Sequence, residues 1–387
     1  MTAADLDLPP LVRERPSRWE RCGLSPRQER WFDVVALALI VLFVSGWGYS
    51  INAASPGSGA APATFTPFSS RIAASPIAPD APPVAAFLID RMVEEVAREI
   101  APLRGESGDV RVVLQQPGET LTLPALPDTV PEGTELSLRS AEGMGPAPPS
   151  DSPGAAAAPG VWNVVLQLRD AVRTVSDLNI ITLVPLSERK GGRIGRYLVG
   201  TWPTERGRPN PRYEVPRGLV RVTPENRHLP VSEHLQLGDF LTKGQVNVWP
   251  KYVALSPRLL DTLELTFQEL ERSGHPVEDV FVISGFRTPI YNATGGSTAG
   301  RGTLSRHMYG DAADVAIDND GNGRMDDLNG DGRVTVADAR LIAEAAQRVE
   351  GRFPTLIGGI GIYPPTSAHA GFVHIDTRGY RARWGAW

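Results

Sequence analysis

An uncharged apolar run near the N-terminus divides this chain into parts that cannot share one aqueous compartment. From Val34 to Ile51 there are 18 residues without a charge, near the lower limit for spanning roughly 30 Å of hydrocarbon. Trp31, Phe32, Trp47 and Tyr49 sit at its ends, where amphipathic rings prefer the membrane interface. Six arginines (Arg13, Arg15, Arg18, Arg21, Arg27 and Arg30) precede the run, and the next basic residue after it is Arg71. This asymmetry predicts a single-pass anchor over 31–51, a cytoplasmic tail over 1–30, and everything after residue 51 beyond the cytoplasmic membrane. A buried core helix and a signal peptide cut near Asn52–Ser55 are the competing readings; a 30-residue flank is long for a signal peptide.

The remainder of the 387 residues is too long for one average core. A formal net charge of −5 gives no basic field for phosphates, which argues against a nucleic-acid binder. The single cysteine, Cys22, excludes a disulfide framework and a Cys-ligated zinc site, so any metal must be held by His and carboxylate. Residues 52–83, rich in Ala, Pro, Ser and Gly, read as a tether. Residues 84–103 have helical spacing, with Phe87, Met92, Val96 and Ile100 on one face. Strand-like runs follow at 110–114, 120–123, 135–138, 161–168 and 179–185, interrupted by a low-complexity insertion at 144–160. The expectation is a small β-rich module over 84–225.

From residue 231 the pattern changes to α+β. Ser256-Pro257 opens a helix, Leu259, Leu263, Phe267 and Leu270 form its apolar stripe, and Gly274 ends it. A strand at 279–284 leads into Gly285-Phe286-Arg287. Two later segments alternate strictly: 312–318 places Asp314, Ala316 and Asp318 on one face, and 371–377 places Phe372, His374 and Asp376 on one face. Together these predict a domain over 231–387 with a polar site on its sheet.

Only six histidines are present. His307 lies seven residues before Asp314, and His374 sits on a strand face with a carboxylate two residues on. Two neutral imidazoles and a carboxylate suit Zn²⁺ with an open position for water, whose pKa the ion lowers to about 7.

The run Ser305-Arg306-His307-Met308-Tyr309-Gly310-Asp311-Ala312-Ala313-Asp314 matches SxHxxGxAxD at every fixed position. With SGFR at 284–287 and GFVHID at 371–376, the segment 231–387 resembles the D-alanyl-D-alanine carboxypeptidase type of zinc metallopeptidase, with its hedgehog/D,D-peptidase fold. The GFVHIDTRGYRARW ending looks most like the murein-endopeptidase branch. The resemblance implies zinc at His307, Asp314 and His374, and Arg287 at the substrate carbonyl or carboxylate. It also implies Ser305 at the substrate backbone, with a loop-capping role as the alternative. Relatives carry an acidic residue three before the last histidine, or a histidine two before it; here these positions are Gly371 and Phe372. Asp376 is then either the general base or a residue that orients a ligand, with His369 and Asp311 in reserve.

Between the second and third zinc ligands, 318–338 forms an insertion that reads as a calcium loop. Asp327, Asn329, Asp331, Arg333 through its carbonyl, and Asp338 fit a twelve-residue EF-hand spacing, with Gly332 at the sharp turn. An overlapping register starts with Asp318, Asp320 and Asn322. The bland alternative is a solvated acidic loop. The functional expectation is a zinc peptidase acting on peptidoglycan stem peptides or cross-links. It would be anchored in the inner membrane, with its catalytic domain periplasmic and calcium stiffening the insertion; endopeptidase is favoured over D-Ala carboxypeptidase. The alternative is a non-catalytic wall-binding scaffold stapled by zinc and calcium.

Overall fold

The computed structural model describes residues 101–387, apart from 117–118, 120–131, 142–157, 170, 208–209, 297, 299–300 and 367–370, together with Met92, Val93, Val96 and Ala97. All fall in the second of two units, Pro82–Trp387. The tail, the anchor and the tether of the sequence reading lie outside the described residues, as do the strand at 120–123, most of the insertion at 144–160, and His369. Among the described residues no helix is long and apolar enough to cross a membrane.

The architecture is α+β, with several sheets and few helices. The first sheet holds β1 (Val112–Gln115), β2 (Thr134–Ser140), β3 (Gly160–Leu168) and β4 (Ala171–Thr182) in the order β1-β4-β3-β2, with β1 and β4 parallel. β3 is apolar along one face, while the other alternates buried Val161 and Val165 with half-exposed Asn163 and Gln167. Trp162, Val164, Leu166 and Leu168 share one cluster with Met92 and Val96, which are helical as the spacing at 84–103 predicts. Val161 belongs, with Val112 and Ile181, to a larger core that contains Leu259, Leu263 and Phe267.

That larger core crosses the boundary expected near residue 231. A three-stranded sheet crosses it too: β5 (Val184–Pro185) pairs with β8 (Gly218–Val222), and β8 pairs with β9 (Lys251–Val253). Between them, β6 (Arg193–Ile194) and β7 (Tyr197–Leu198) form a small ribbon. The segments before and after residue 231 therefore share one apolar interior.

Helix α1 (Pro257–Arg272) begins at the expected Ser256-Pro257, although the Ser256 hydroxyl makes no capping bond. Its stripe, Leu259, Leu263, Phe267 and Leu270, is fully buried, and Gly274 follows its end at φ +87°. Next come β10 (Val280–Ser284), the short α2 (Pro289–Thr294) and β11 (Ala312–Ile317). After them follow α3 (Val336–Arg352), β12 (Gly359–Tyr363), β13 (Phe372–Asp376) and β14 (Ala382–Gly385). The second sheet runs β10-β11-β13-β12-β14; every neighbouring pair is antiparallel except β12 with β14. Helix α3 packs on α1 and on β12 and β13. Its Ala339, Ile342 and Ala346 share the core with Val315, Ile317, Val373 and Ile375. By strand alternation, Asp314 and His374 stand on the opposite face.

One buried ion pair ties α1 to the 231–236 segment. Glu264, wholly buried, accepts from Ser232 Oγ at 2.6 Å and His234 N at 3.0 Å, and its Oε2 lies 2.8 Å from His234 Nδ1. His234 Nε2 faces the Val277 carbonyl at 3.2 Å, so both ring nitrogens meet acceptors. Burial opposes the imidazolium, but Glu264 and Glu271 outweigh it and raise its pKa above 6.5. The stabilisation is present in full below pH 6.5 and is lost as pH rises through the elevated folded value. Glu264→Gln is expected to lower the unfolding free energy by about 3 kcal/mol near pH 6. It should also flatten the alkaline decline in stability, as read by urea denaturation across pH 6–9.

Candidate metal centre

The register of β11 against β13 sets Asp314 directly opposite His374. The third residue, His307, comes from a single 3-10 turn over Arg306–Tyr309. Gly310 ends that turn at φ +74°, and a Cβ there would stand 2.4 Å from the Ala254 carbonyl, so glycine is required twice over. Two groups hold the turn from outside. Arg287 N donates to His307 O at 3.0 Å, and the buried Trp202 indole donates to Met308 O at 2.7 Å. Sequence reading assigned no role to Trp202; a buried tryptophan with no periodic partners was the only available signal.

The three side chains meet. His307 Nε2 lies 3.2 Å from His374 Nδ1 and 3.3 Å from Asp314 Oδ1, and His374 Nδ1 lies 2.8 Å from Asp314 Oδ1. Tetrahedral ligands at zinc-type bond lengths stand about 3.3 Å apart, so the donor triangle has the size of a metal-binding face. All three residues are buried, and together they form a group able to bind a metal ion. The outer nitrogens are also held. His307 Nδ1 faces the Gly285 carbonyl at 2.7 Å and His374 Nε2 faces Asp376 Oδ2 at 3.0 Å, which aims the remaining nitrogen of each ring into the triangle.

Electrostatics follow from this packing. Burial, with the charges of Arg287 and His374, keeps His307 below its ordinary pKa despite Asp314. Burial also opposes the charge on His374, but Asp314 and Asp376 outweigh it and push it up to about 9. Asp314 sits well below the usual carboxylate range: burial works against its charge, and the two imidazoles overcome it. With no cation, a proton on His374 Nδ1 joins the triangle.

The triangle opens into a cleft of about 500 Å³, walled by Tyr213, Tyr363, Phe372 and Trp384 and carrying four arginines. Tyr363 stacks on Phe372 with ring centres 4.5 Å apart, and Trp384 donates to the Tyr363 hydroxyl at 2.9 Å. The Trp384 indole lies across Gly361, where a Cβ would meet Nε1 at 2.3 Å. Ser305 lines the cleft at the start of the His307 turn, and its side chain makes no capping bond there.

Arg287 lines the cleft, but not as a free group. Its Nη2 donates to Asp314 Oδ2 at 2.8 Å and its Nε to Ser284 Oγ at 2.9 Å, so it braces the carboxylate of the triangle. Asp376, expected either as base or as a residue that orients a ligand, stands behind His374. Its side chain is wholly buried on the far side of the His374 ring, accepting from His374, Gly359 N at 3.0 Å and Arg378 Nε at 2.8 Å. Those donors hold it well below the usual carboxylate range although burial opposes this; it is placed to orient His374 and is not among the residues lining the cleft. Asp311 is bound by Arg306 Nη1 at 2.9 Å, and burial lifts its pKa to about 6. It too is not a wall of the cleft. A Cβ on Gly371 would meet Met325 Cε at 2.4 Å, so the insertion occupies the space an acidic side chain would need.

In the insertion the acidic side chains divide differently from the expected loop. Asp338, buried at the third position of α3, spends Oδ1 on Leu328 N (2.9 Å) and Asn329 N (3.2 Å) and Oδ2 on Thr335 N (2.7 Å). Asp327 accepts from Gly330 N and Asp331 N, and Asn329 and Asp331 are joined to each other at 3.2 Å. Arg333 N is tied to Asp331 Oδ1 at 2.9 Å. The carboxylates that do converge are Asp318, Asp320 and Asp326. Asn322 serves them as a donor, through N to Asp318 and Nδ2 to Asp320 at 2.8 Å each. Asp326 was not singled out by the sequence reading; its signal was position nine of the overlapping register.

No protein-family model, curated protein or solved structure matches this chain.

Loading the triangle must displace the His374 Nδ1 proton. Calorimetric zinc titrations in buffers of different ionisation enthalpy are expected to show close to one proton released per ion at pH 7.5. Apparent affinity should rise about tenfold per pH unit up to about pH 9. Asp376→Asn should weaken metal binding by roughly 10–100-fold.

Proposed function

We propose that this chain is a zinc-dependent peptidase of the D-alanyl-D-alanine carboxypeptidase type, acting on peptidoglycan stem peptides or their cross-links from an inner-membrane anchor. The observation that carries the reading is the donor triangle itself: two imidazoles and one carboxylate, buried at their backs and open on one side to a cleft lined by arginines and aromatic rings. The ordered motifs SGFR, SxHxxGxAxD and GFVHID supply all three donors and the arginine that braces one of them.

Zinc suits the donor set, and when bound it supplies a Lewis acid and a hydroxide nucleophile near neutral pH. The residues of the chain do the rest. Asp376 and the Gly285 carbonyl keep both imidazoles in the tautomer that faces the triangle. Arg287 pins Asp314 through Nη2 and is itself held by Ser284 through Nε; its Nη1, without a hydrogen bond among the described residues, is left to face a substrate carbonyl. Tyr363, Phe372 and Trp384 give a flat apolar wall along which a peptide backbone can lie, and Ser305 offers a hydroxyl beside it. An endopeptidase suits a cleft that is open at the surface.

A second reading, a non-catalytic wall-binding scaffold, draws on one observation. Among the described residues, Asp314 is the only carboxylate lining the cleft, and it is engaged by both histidines and Arg287. Purified peptidoglycan incubated with the protein, with zinc, after chelation and re-addition, and as His307→Ala, separates the two. Zinc-dependent loss of cross-linked muropeptide dimers is expected, and release of single D-Ala would make the enzyme a carboxypeptidase. Unchanged muropeptides with one zinc bound per chain would establish the scaffold.

Calcium is assigned to the Asp318, Asp320 and Asp326 group, as a brace for the insertion whose Met325 backs onto the start of β13. Chelating calcium with zinc left in place is expected to lower the melting temperature by several degrees. Asp318→Asn should abolish that calcium dependence.

A further inference from the structure

The four guanidiniums of the cleft differ in their partners. Arg287 is held by Asp314, Arg306 by Asp311 and Arg378 by Asp376. Arg301 meets no carboxylate among the described residues. Its Nη1 donates to the carbonyls of Tyr291 (2.9 Å) and Gly295 (2.6 Å), and its plane lies over the Tyr291 ring, 5.0 Å from the centroid. These contacts fix the group without neutralising it, and Nε and Nη2 make no hydrogen bond among the described residues.

Arg301 and Gly302 also line a second cavity of about 580 Å³, which they share with the metal cleft as a common border. Its walls carry Arg206 and the hydroxyls of Thr201, Thr298 and Thr303, and no carboxylate among the described residues. Arg206 makes no side-chain hydrogen bond among them either. The acid beside it, Glu205, is hydrogen-bonded by Arg189 Nη1 at 2.9 Å and Trp202 N at 2.7 Å, and feels the charge of Arg206 without a hydrogen bond to it. Arg301, with no carboxylate partner among the described residues, and Arg206 thus line one cavity without an acidic wall, and a bound carboxylate is held there through charge-assisted hydrogen bonds. The charge of Arg301 is also felt at Arg287, which places the cavity within electrostatic reach of the metal cleft.

We propose that the cavity bordered by Arg301 and Arg206 is a subsite that takes a carboxylate of a peptide whose backbone crosses the metal cleft. The substrate class rests on the peptidase reading; the anion site rests on the cavity alone. An anionic peptide would be gripped at a fixed offset from the donor triangle, so the subsite selects which bond is presented.

The test uses the metal-depleted full-length chain and three probes: N-acetyl-trialanine, its C-terminal amide, and the amide of N-acetyl-Ala-Asp-Ala. At low salt, at least one carboxylate-bearing probe is expected to bind tenfold or more tighter than the neutral amide, and which one does so identifies a terminal or a side-chain carboxylate. High salt should erase the difference. Arg301→Gln should reduce the acid to the affinity of the amide. Arg206→Gln, which breaks no hydrogen bond among the described residues, should reduce the preference about fivefold with an unchanged melting temperature. Equal binding of all three probes, no binding of any, or a preference that survives both substitutions overturns the subsite. Zinc is then restored and hydrolysis followed. Cleavage with no carboxylate preference keeps the peptidase and removes the subsite; a preference without cleavage keeps the subsite and removes the peptidase.

Discussion

Two central strands, β11 and β13, pair antiparallel so that Asp314 faces His374 across the ladder, and the site depends on that register. A one-residue slip of β11 would carry Asp314 to the face covered by α3 and bring Val315 out in its place, and a slip of β13 would do the same to His374 and Val373. The apolar alternation on the helix side makes either slip costly, since Val315 and Ile317, or Val373 and Ile375, would lose their burial. The hydrophobic core thus sets the position of two polar ligands it never touches.

The third ligand depends on the rest of the fold. His307 sits on one short turn, and that turn is gripped by groups distant in sequence: Trp202 at the Met308 carbonyl, the Arg287 amide at the His307 carbonyl, and the Ala254 backbone against Gly310. The Gly285–Thr288 segment is in turn fixed by Thr242, whose hydroxyl donates to Phe286 O at 2.9 Å and accepts from Thr288 N at 3.0 Å. The region before residue 231 is part of the scaffold of the metal centre, which is why its core and its small sheets run continuously into the later elements.

What was legible in the sequence was what local periodicity carries. The stripe of α1, the two alternating strands and the shared face of Asp314 and His374 follow from spacings of 3.6 and 2.0, and the structure has them. The shared core across residue 231 was not legible, because long-range packing leaves no mark in a local window. The role of Asp376 was half legible: alternation put it beside His374, but only the Arg378 and Gly359 contacts show both of its oxygens spent. In the insertion, counting positions found Asp318 and Asp320 but not the convergence of Asp326 with them. Asp338 closes the capping box of α3 with Thr335, a contact that the spacing of the loop alone did not bring out.

The proton on His374 bears on the order of events in the life of the chain. With that proton in place, Asp314, His307 and His374 satisfy one another, and the sheet that carries two of them is closed by its own backbone bonds. The three groups are thus partnered by one another within a sheet and core of ordinary size, unlike in small domains where the ion is itself the core. The triangle can therefore stand assembled in its protonated form and exchange a hydrogen ion for a metal drawn from its surroundings. Occupancy of the triangle is thereby set by the acidity and metal supply around it.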